Sequence, residues 1–211
     1  MDFDTRLEAK IGEFGVAKAP DMIFHPFVLC WQFPVEPVDR PFSQAVFDMC
    51  EEEYLDRDVL HLGVPRFPLR YRNMRILDLF DPREVDYRLD LCDREQMAQI
   101  PDGSFDLVFC DSILEHLSRF WIGAEQIQRI MRSGAYVIAA VPTVWPFHTQ
   151  MPIGGGEAGF CGGDYWRMTH LGIQQAFDQC EDVGTWYRTG SPKMGDDPRS
   201  GFGVMYVGRK R

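Results

Sequence analysis

Apolar and polar positions alternate along this chain in a way that predicts strands separated by helices. Short apolar runs are typical of strands that are buried in a sheet. The last two runs are joined by a polar turn and are expected to pair antiparallel. The runs that predict strands span residues 59–64, 75–80, 87–91, 105–110, 136–141, 184–189 and 202–209.

Amphipathic segments with helical spacing lie between these runs and before the first of them. Their ends carry helix signals, since serine and threonine suit an N-cap and glycine often follows a last turn. The predicted helices are residues 43–55 with Ser43 as N-cap, residues 94–100, residues 122–132 ending at Ser133-Gly134, and a last helix capped by Thr169.

This alternation predicts an α/β fold, with a Rossmann-like doubly wound, mostly parallel sheet and an antiparallel last strand in a three-layer α/β/α arrangement. Such sheets bind ligands beyond the carboxyl ends of their strands. Residues 41–211 are predicted to form this domain. Residues 1–40 are rich in proline and aromatic residues and predict an irregular arm, which either covers the active site or mediates a dimer.

Composition narrows the classes of function. The formal net charge of −10 disfavours a nucleic-acid substrate, because an acidic surface repels phosphates. No apolar stretch is long enough to span a bilayer, and the N-terminus lacks the apolar core of a secretory signal. The six cysteines show no metal-binding spacing, so we expect reduced thiols, no metal and a cytoplasmic protein. One group of arginines is a candidate basic patch, and a solvated loop is the alternative interpretation. These residues are Arg66, Arg70, Arg72 and Arg75.

Two segments in the middle of the chain are distinctive. They read IPDGSFDLVFCDSILEHL at residues 100–117 and IQRIMRSGAYVIAAVP at residues 127–142, and DYWRMT follows at residues 164–169. They resemble the class I S-adenosylmethionine (SAM)-dependent methyltransferases that act on small molecules (methyltransferase type 11-like). The resemblance covers roughly residues 58–209. It implies SAM as the cofactor and transfer of a methyl group to an oxygen or nitrogen of a small polar molecule.

The resemblance also implies which residues bind the cofactor. Asp78 would bond the ribose hydroxyls, with Asp81 as the competing candidate. Asp90 would face the adenine amino group, with Leu91 and Cys92 beside the ring. The amino-acid part of the cofactor would lie along Cys110, Asp111 and Ser112. Capping of the following helix by Asp111 or Ser112 remains the alternative.

Candidate catalytic and substrate-binding residues follow later in the chain. A glycine-rich loop of about twenty residues after the fifth strand is typical of a lid. His148 at its start is the first candidate for a general base, and His116 is the second, since a histidine pKa lies near neutrality. A helix-surface role for Glu115-His116 stays open. Side chains that would contact a small polar substrate are Asp164, Tyr165, Trp166 and Arg167.

The first strand departs from the family pattern, and the glycine-rich motif I is degenerate. Residues 59–68 read VLHLGVPRFP, so Gly63 is the single glycine, His61 replaces an acid and Pro65 replaces a second glycine. Proline fixes φ and has no N–H to offer a ligand. His61 and Gly63 remain candidate cofactor contacts. A methyltransferase-fold protein without methyl transfer, serving a partner protein or catalysing another reaction, is therefore the alternative hypothesis.

Overall fold

The structure is a computed structural model, and it describes residues 2–14, 39–65, 69–144, 163–188 and 202–211. Most helices and strands within these ranges fall close to the predicted segments. In chain order they are α1 Phe3–Phe14, α2 Asp39–Tyr54, β1 Asp58–Leu62, β2 Asn73–Leu77, α3 Arg94–Met97, β3 Phe105–Asp111, a 3₁₀ helix Leu114–His116, α4 Phe120–Ile130, β4 Met131–Val144, α5 His170–Ala176, β5 Cys180–Arg188 and β6 Phe202–Lys210.

The strands form a single sheet in the order β2-β1-β3-β4-β6-β5. Strands β1 to β4 pair in parallel with their neighbours, whereas β6 is antiparallel to both β4 and β5. Helices α1 and α2 cover one face, and α3, α4 and α5 cover the other. The predicted three-layer α/β/α fold with a mostly parallel sheet and an antiparallel last strand is confirmed.

Strand β3 lies in the middle of the parallel half and is buried on both faces. Its successive side chains point to opposite faces. Leu107 and Phe109 therefore enter the core beneath α1 and α2, and Val108 and Cys110 enter the core beneath α3 to α5. This double burial explains the continuous apolar run that identified the strand from the sequence.

The predicted strand at residues 87–91 is wrong, since the described backbone makes only an isolated parallel bridge between Tyr87 and Leu77. The guanidinium of Arg88 donates to the carbonyl oxygens of Leu79, Asp81 and Arg83 and so ties this segment to the preceding loop. These contacts hold the chain in a turn rather than along the sheet edge.

The boundary between α4 and β4 also differs from the prediction. The helix ends at Ile130, and Met131 already pairs with Phe105 in the sheet. Gly134 has φ of +80° and lies where the register between β3 and β4 shifts. The glycine therefore serves a bulge inside β4 rather than the end of the helix.

The N-terminal segment is more regular than predicted. Residues 3–14 form α1, in which Phe3, Leu7 and Ile11 recur every four residues and are buried. The ring of Phe3 packs at 4.6 Å from that of Tyr136, near the start of β4 and far from the carboxyl ends of the strands. Ser43 lies inside α2, which begins at Asp39, and is therefore not its N-cap. Residues 15–38 of the predicted arm lie outside the described residues.

Candidate active site

The carboxyl ends of β1, β2 and β3 meet at one edge of the sheet, which we call the carboxyl edge. Gly63, Asp78 and Ser112 follow these strands directly. Gly63 has φ of +76°, and Ser112, at +57°, is the sole non-glycine residue with positive φ in the part of the chain that the structure describes. Such conformations concentrate at ligand sites. The backbone is therefore sharply turned at two adjacent strand ends.

The turn at Gly63 needs a residue without a side chain. A Cβ atom there would lie 3.2 Å from Ile113 Cδ1 and 3.9 Å from Asp78 Oδ2. The Gly63 N–H donates to the Leu77 carbonyl oxygen at 2.9 Å. The single glycine of this degenerate motif thus brings the ends of β1, β2 and β3 together.

The His61 side chain holds this turn through a hydrogen bond to Gly63. Its Nδ1 lies 2.7 Å from the Gly63 carbonyl oxygen, and because a carbonyl only accepts, Nδ1 carries the hydrogen. The ring also packs against that of Phe109, with centroids 5.7 Å apart. Burial lowers the pKa of His61, so the imidazole is neutral around pH 7. His61 therefore fixes the loop rather than supplying the charge of the acid it replaces.

Asp78 and Asp81, the two candidates at the end of β2, have different surroundings. Asp78 Oδ1 accepts from the Phe80 and Asp81 N–H groups, both at 2.8 Å, while Oδ2 faces Gly63. Asp81 is buried and forms a two-point ion pair with Arg83 at 2.8 and 2.6 Å. This hydrogen-bonded pair lowers the pKa of Asp81. Asp78 thus keeps one carboxylate oxygen toward the edge, whereas Asp81 is engaged in the loop.

The predicted adenine-binding region is a compact turn. Asp90 Oδ1 accepts from the Cys92 N–H at 2.8 Å, and the Asp90 N–H donates to Gln96 Oε1 at 3.0 Å. The side chains of Leu91, Cys92 and Cys110 are buried in the described structure, and burial raises the pKa of the Cys110 thiol. Any contact of Cys110 with a ligand at this edge would therefore come from its backbone.

Glu115 and His116 lie in the 3₁₀ helix that follows β3. The Glu115 side chain is only 1% exposed, and its Oε2 has no hydrogen-bond partner among the described residues. Its pKa is raised from 4.5 to about 8, mainly by burial; the hydrogen bond from its own backbone N–H and the charge of Arg167 oppose this shift, and the charges of Asp111 and Asp164 support it. The sequence pattern indicated His116 rather than Glu115 as the functional residue of this pair. The signal for Glu115 was a carboxylate flanked by Leu114 and Leu117 in an apolar turn.

His116 is held in one orientation. Its Nδ1 lies 2.8 Å from the Gly163 carbonyl oxygen, so Nδ1 carries the hydrogen and Nε2 keeps its lone pair in the neutral ring. Nε2 is 3.8 Å from Glu115 Oε1, too long for a hydrogen bond but short enough for an ion pair when the ring is protonated. His148, the first candidate for a base, lies outside the described residues, as does the glycine-rich loop.

Residues 163–169, which we call the docking segment, cross the carboxyl edge between the 3₁₀ helix and β4. The Tyr165 N–H donates to the Glu115 carbonyl oxygen at 2.7 Å, and the Met168 N–H donates to that of Pro142 at 3.0 Å. The Thr143 hydroxyl donates to the Met168 carbonyl oxygen at 2.7 Å. These backbone contacts place the predicted substrate residues beside Glu115 and His116.

The four predicted substrate residues differ in what they offer. Arg167 forms a two-point ion pair with Asp164, whose side chain is fully buried, and this raises the pKa of Arg167. Trp166 donates from Nε1 to the Leu117 carbonyl oxygen at 2.8 Å and packs edge-on against Phe120. Tyr165 is 55% exposed. Three of the four thus build the segment, whereas the ring of Tyr165 lies over Gly163 and stays partly exposed.

A groove of about 530 Å³ lies at the opposite, amino end of the sheet, between Gly103 and Lys210. Its basic groups are already bonded within the protein. Arg129 donates to Asp102 and to two backbone carbonyls, and Lys210 donates to the Met131 carbonyl oxygen at 2.8 Å. The two basic side chains of this groove are therefore engaged within the protein.

Two further findings concern metals and membranes. Within the described ranges, no group of three or more histidine, cysteine, aspartate or glutamate side chains has the arrangement to hold a metal ion. Among the helices found there, none combines the length and the apolar character needed to cross a membrane.

Residues 75–139 match a family model described as a methyltransferase domain. The matched segment runs from β2 through β3 and the 3₁₀ helix into β4, and thus contains most of the carboxyl edge. This match and the sheet order agree with a Rossmann-like methyltransferase fold. The matched segment makes up less than a third of the chain, so what is shown is a likeness to the class I SAM-dependent methyltransferases in this segment and in fold.

Solved structures share this fold at low sequence identity. A SAM-dependent methyltransferase from Listeria monocytogenes is 11% identical, with 78% of this chain and 96% of that chain covered and a TM-score of 0.54. The 1,6-didemethyltoxoflavin-N1-methyltransferase of Burkholderia thailandensis is 14% identical, with 81% and 77% covered and a TM-score of 0.52. A SAM-dependent methyltransferase from Methanosarcina mazei is 11% identical, with 75% and 95% covered and a TM-score of 0.50. No curated protein sequence matches the chain significantly.

Proposed function

We propose that this protein is a SAM-dependent methyltransferase that methylates an oxygen or nitrogen of a small polar molecule. The observation that carries the proposal is the turn at Gly63, which lies against Asp78 Oδ2 and Ile113 at the carboxyl edge. This edge lies largely inside the segment that matches the methyltransferase family. An uncharged, glycine-lined turn facing a carboxylate suits close approach of a nucleoside ligand.

The residues at this edge fit the cofactor by charge. SAM carries a positive sulfur and an ammonium group, and the residues at or just after the strand ends of this edge include the carboxyl groups of Asp78, Asp111 and Glu115. Asp78 and Asp90 are the candidates for the ribose and the adenine, and the backbone around Ser112 for the amino-acid part. When bound, the cofactor supplies an electrophilic methyl group on its sulfur. Two structural relatives support the fit, since they were solved with S-adenosylhomocysteine (SAH), the demethylated cofactor.

His116 and Tyr165 are the candidate groups toward the methyl acceptor. His116 Nε2 keeps its lone pair because Nδ1 is bonded to the Gly163 carbonyl oxygen. This nitrogen is suited to take the proton of an acceptor hydroxyl or amine. Tyr165 offers an exposed ring beside it. His148, the first candidate base from the sequence, remains a candidate, and Asp164 and Arg167 would shape the acceptor site as an ion pair.

Isothermal titration of the purified chain with SAM and with SAH tests this function. We expect saturable binding of both ligands, weakened about tenfold or more in Asp78→Asn by loss of a ribose partner. The matched control is Asp102→Asn, which removes an exposed aspartate at the amino end of the sheet and should bind as wild type. A folded chain that binds neither ligand would refute the proposal.

A second candidate is a methyltransferase-fold protein without methyl transfer, and the replacements His61 and Pro65 favour it. One structural relative is the [4+2]-cyclase SpnF, which is 11% identical, with 97% of this chain and 94% of that chain covered and a TM-score of 0.50. Another was solved in complex with the Haloferax volcanii Trm112 methyltransferase activator; it is 15% identical, with 80% and 94% covered and a TM-score of 0.50, and it illustrates a partner protein rather than a loss of methyl transfer. Co-purification of a stoichiometric partner, together with no SAM binding, would support this candidate over the first.

We further propose that the protein works in the cytoplasm. The described cysteines Cys50, Cys92, Cys110 and Cys180 are free and buried, which suits a reducing compartment. Localisation of a tagged chain by fractionation checks this proposal.

A further inference from the structure

Glu115 is the buried ionisable group whose position the fold does not explain. Its side chain is 1% exposed, and Oε2 has no hydrogen-bond partner within the described part of the chain. The Glu115 backbone carbonyl, in contrast, accepts from the N–H groups of both Tyr165 and Trp166. A leucine of similar volume would fill this space without leaving a polar atom unsatisfied. An unsatisfied buried oxygen typically costs 1–3 kcal/mol, so its retention points to a ligand.

The charged groups around Glu115 come from three elements. Strand β3 contributes Asp111 and the thiol of Cys110, and the 3₁₀ helix contributes His116. The docking segment contributes Asp164 and Arg167, which neutralise each other in a two-point ion pair. The surroundings of the Glu115 carboxyl are therefore largely apolar or acidic; the exceptions are its own backbone N–H and the guanidinium of Arg167, which Asp164 engages. Around pH 7 in the free chain the carboxyl is largely protonated.

A cation placed against this carboxyl would reverse the balance, because an opposite charge within a few ångströms favours the ionised form. We propose that Glu115 is the counter-charge for a cationic group of the ligand bound at the carboxyl edge, and that it releases its proton when that group arrives. The O–H bond of Glu115 breaks, the proton passes to the solvent, and the carboxylate pairs with the cation. This inference rests on the proposed function for the identity of the ligand, whose cations are a sulfonium and an ammonium group.

The test measures protons rather than turnover. Isothermal titration at pH 7 in two buffers of different ionisation enthalpy gives the number of protons released on binding. We expect the release to approach one proton per chain and to vanish above about pH 9, where the carboxyl is already ionised. Proton release on binding SAM but not on binding SAH identifies the sulfonium as the partner, because SAH lacks that charge. Release with both ligands identifies the ammonium group, which both carry.

Two variants assign the proton to its source. Glu115→Gln resembles the protonated side chain in shape and should fold, but it should release no proton and bind SAM about tenfold or more weakly. Glu125→Gln makes the same change at an exposed residue of α4 that pairs with Arg94, and it should release protons as wild type does. If circular dichroism shows that Glu115→Gln has lost its helices, a carbon-13 NMR titration of the wild-type chain takes its place. The Glu115 carboxyl should then ionise near pH 8.

Each unfavourable result has a distinct meaning. SAM binding without proton release, the same release from Glu115→Gln, or a Glu115 carboxyl that ionises near pH 4.5 overturns the proposal while leaving the methyltransferase function standing. Failure of a folded wild-type chain to bind either ligand overturns the proposed function, and this proposal with it.

Discussion

At the scale of single residues, the burial of Glu115 links its ionisation to stability. Its pKa in the folded chain is about 8 against an ordinary value of 4.5, so the folded state keeps a proton that the unfolded state has lost between these values. The stabilisation is complete below about pH 4.5 and is lost as the pH rises to about 8. Glu115→Gln cannot ionise and should escape this loss.

We therefore compare the free energy of unfolding of Glu115→Gln with that of the wild type. The difference, variant minus wild type, should increase by on the order of 3–5 kcal/mol between pH 4.5 and 8. Urea denaturation of the ligand-free proteins at several pH values measures this difference, in which other titrating groups cancel. Glu125→Gln serves as the control and should show no such trend. Parallel curves for Glu115→Gln and wild type would contradict the prediction.

Gly63 and Gly134 both have positive φ, and Gly63 lies at the proposed ligand site. Replacing each by alanine separates the cost of backbone strain from an effect on ligand binding. Gly63→Ala should cost about 1–2 kcal/mol for positive φ and should also weaken SAM binding, since its Cβ would press on Ile113 at 3.2 Å. Gly134→Ala has the same φ cost, but nothing lies within 4 Å of its Cβ, and it is in the first half of β4. It should lose stability and keep its affinity. Thermal unfolding and titration calorimetry measure the two effects, and equal losses of affinity would refute the assignment.

Side-chain roles at the site were only partly predictable. The positions of Asp78, Asp111 and Ser112 at strand ends follow from the strand pattern, because parallel strands end at one edge. The burial of Cys110 follows from the alternation of β3, which places it on the core face. The isolation of Glu115 depends on the docking segment, some fifty residues away in sequence. No local pattern reports a contact of that range.

At the scale of elements, α1 is part of the core. Leu7 is fully buried and packs with residues of α2 and of the sheet. Leu7→Ala should therefore lower the free energy of unfolding by about 2–5 kcal/mol, as for a cavity in a packed core. Thr5→Ala changes an exposed position of the same helix and should alter stability by less than about 0.5 kcal/mol. Chemical denaturation compares them, and equal stability of the two variants would show that α1 does not pack on the sheet.

Errors in the predicted elements share a physical cause. The apolar alternation at residues 87–91 is real, but the hydrogen bonds of Arg88 to loop carbonyls outweigh sheet pairing there. The helix signal at Ser133-Gly134 is also real as a turn signal, yet the bulge between β3 and β4 uses the glycine instead. In both cases a contact that is distant in sequence decides between two conformations that the local residues permit.

At the scale of the whole molecule, the fold class was predictable because it depends on the order of elements rather than on their exact ends. Apolar runs that alternate with helices leave few arrangements other than a mostly parallel sheet covered on both faces. Burial of β3 on both faces and the late antiparallel pair β5–β6 agree with that pattern. The turns at the carboxyl edge needed coordinates, since positive φ at Ser112 has no signature in the residue type.

The charge of the whole molecule leads to a prediction about nucleic acid. The net charge is −10, and the described arginines of the candidate basic patch each face an acid. Arg70 lies 3.5 Å from Glu51, and Arg72 and Arg75 pair with aspartates at 2.6 and 2.9 Å. These pairs leave little positive charge to replace the counterions of a phosphate backbone.

We expect fluorescence anisotropy with labelled duplex DNA and with transfer RNA to show no binding tighter than about 10⁻⁴ M at physiological salt. Lowering the salt should not reveal a site, because the repulsion between the acidic protein and the phosphates grows as screening weakens. Binding that strengthens at low salt and disappears in Arg70→Ala/Arg72→Ala/Arg75→Ala would reveal a working basic surface. A macromolecular methyl acceptor would then replace the small polar molecule in the proposed function.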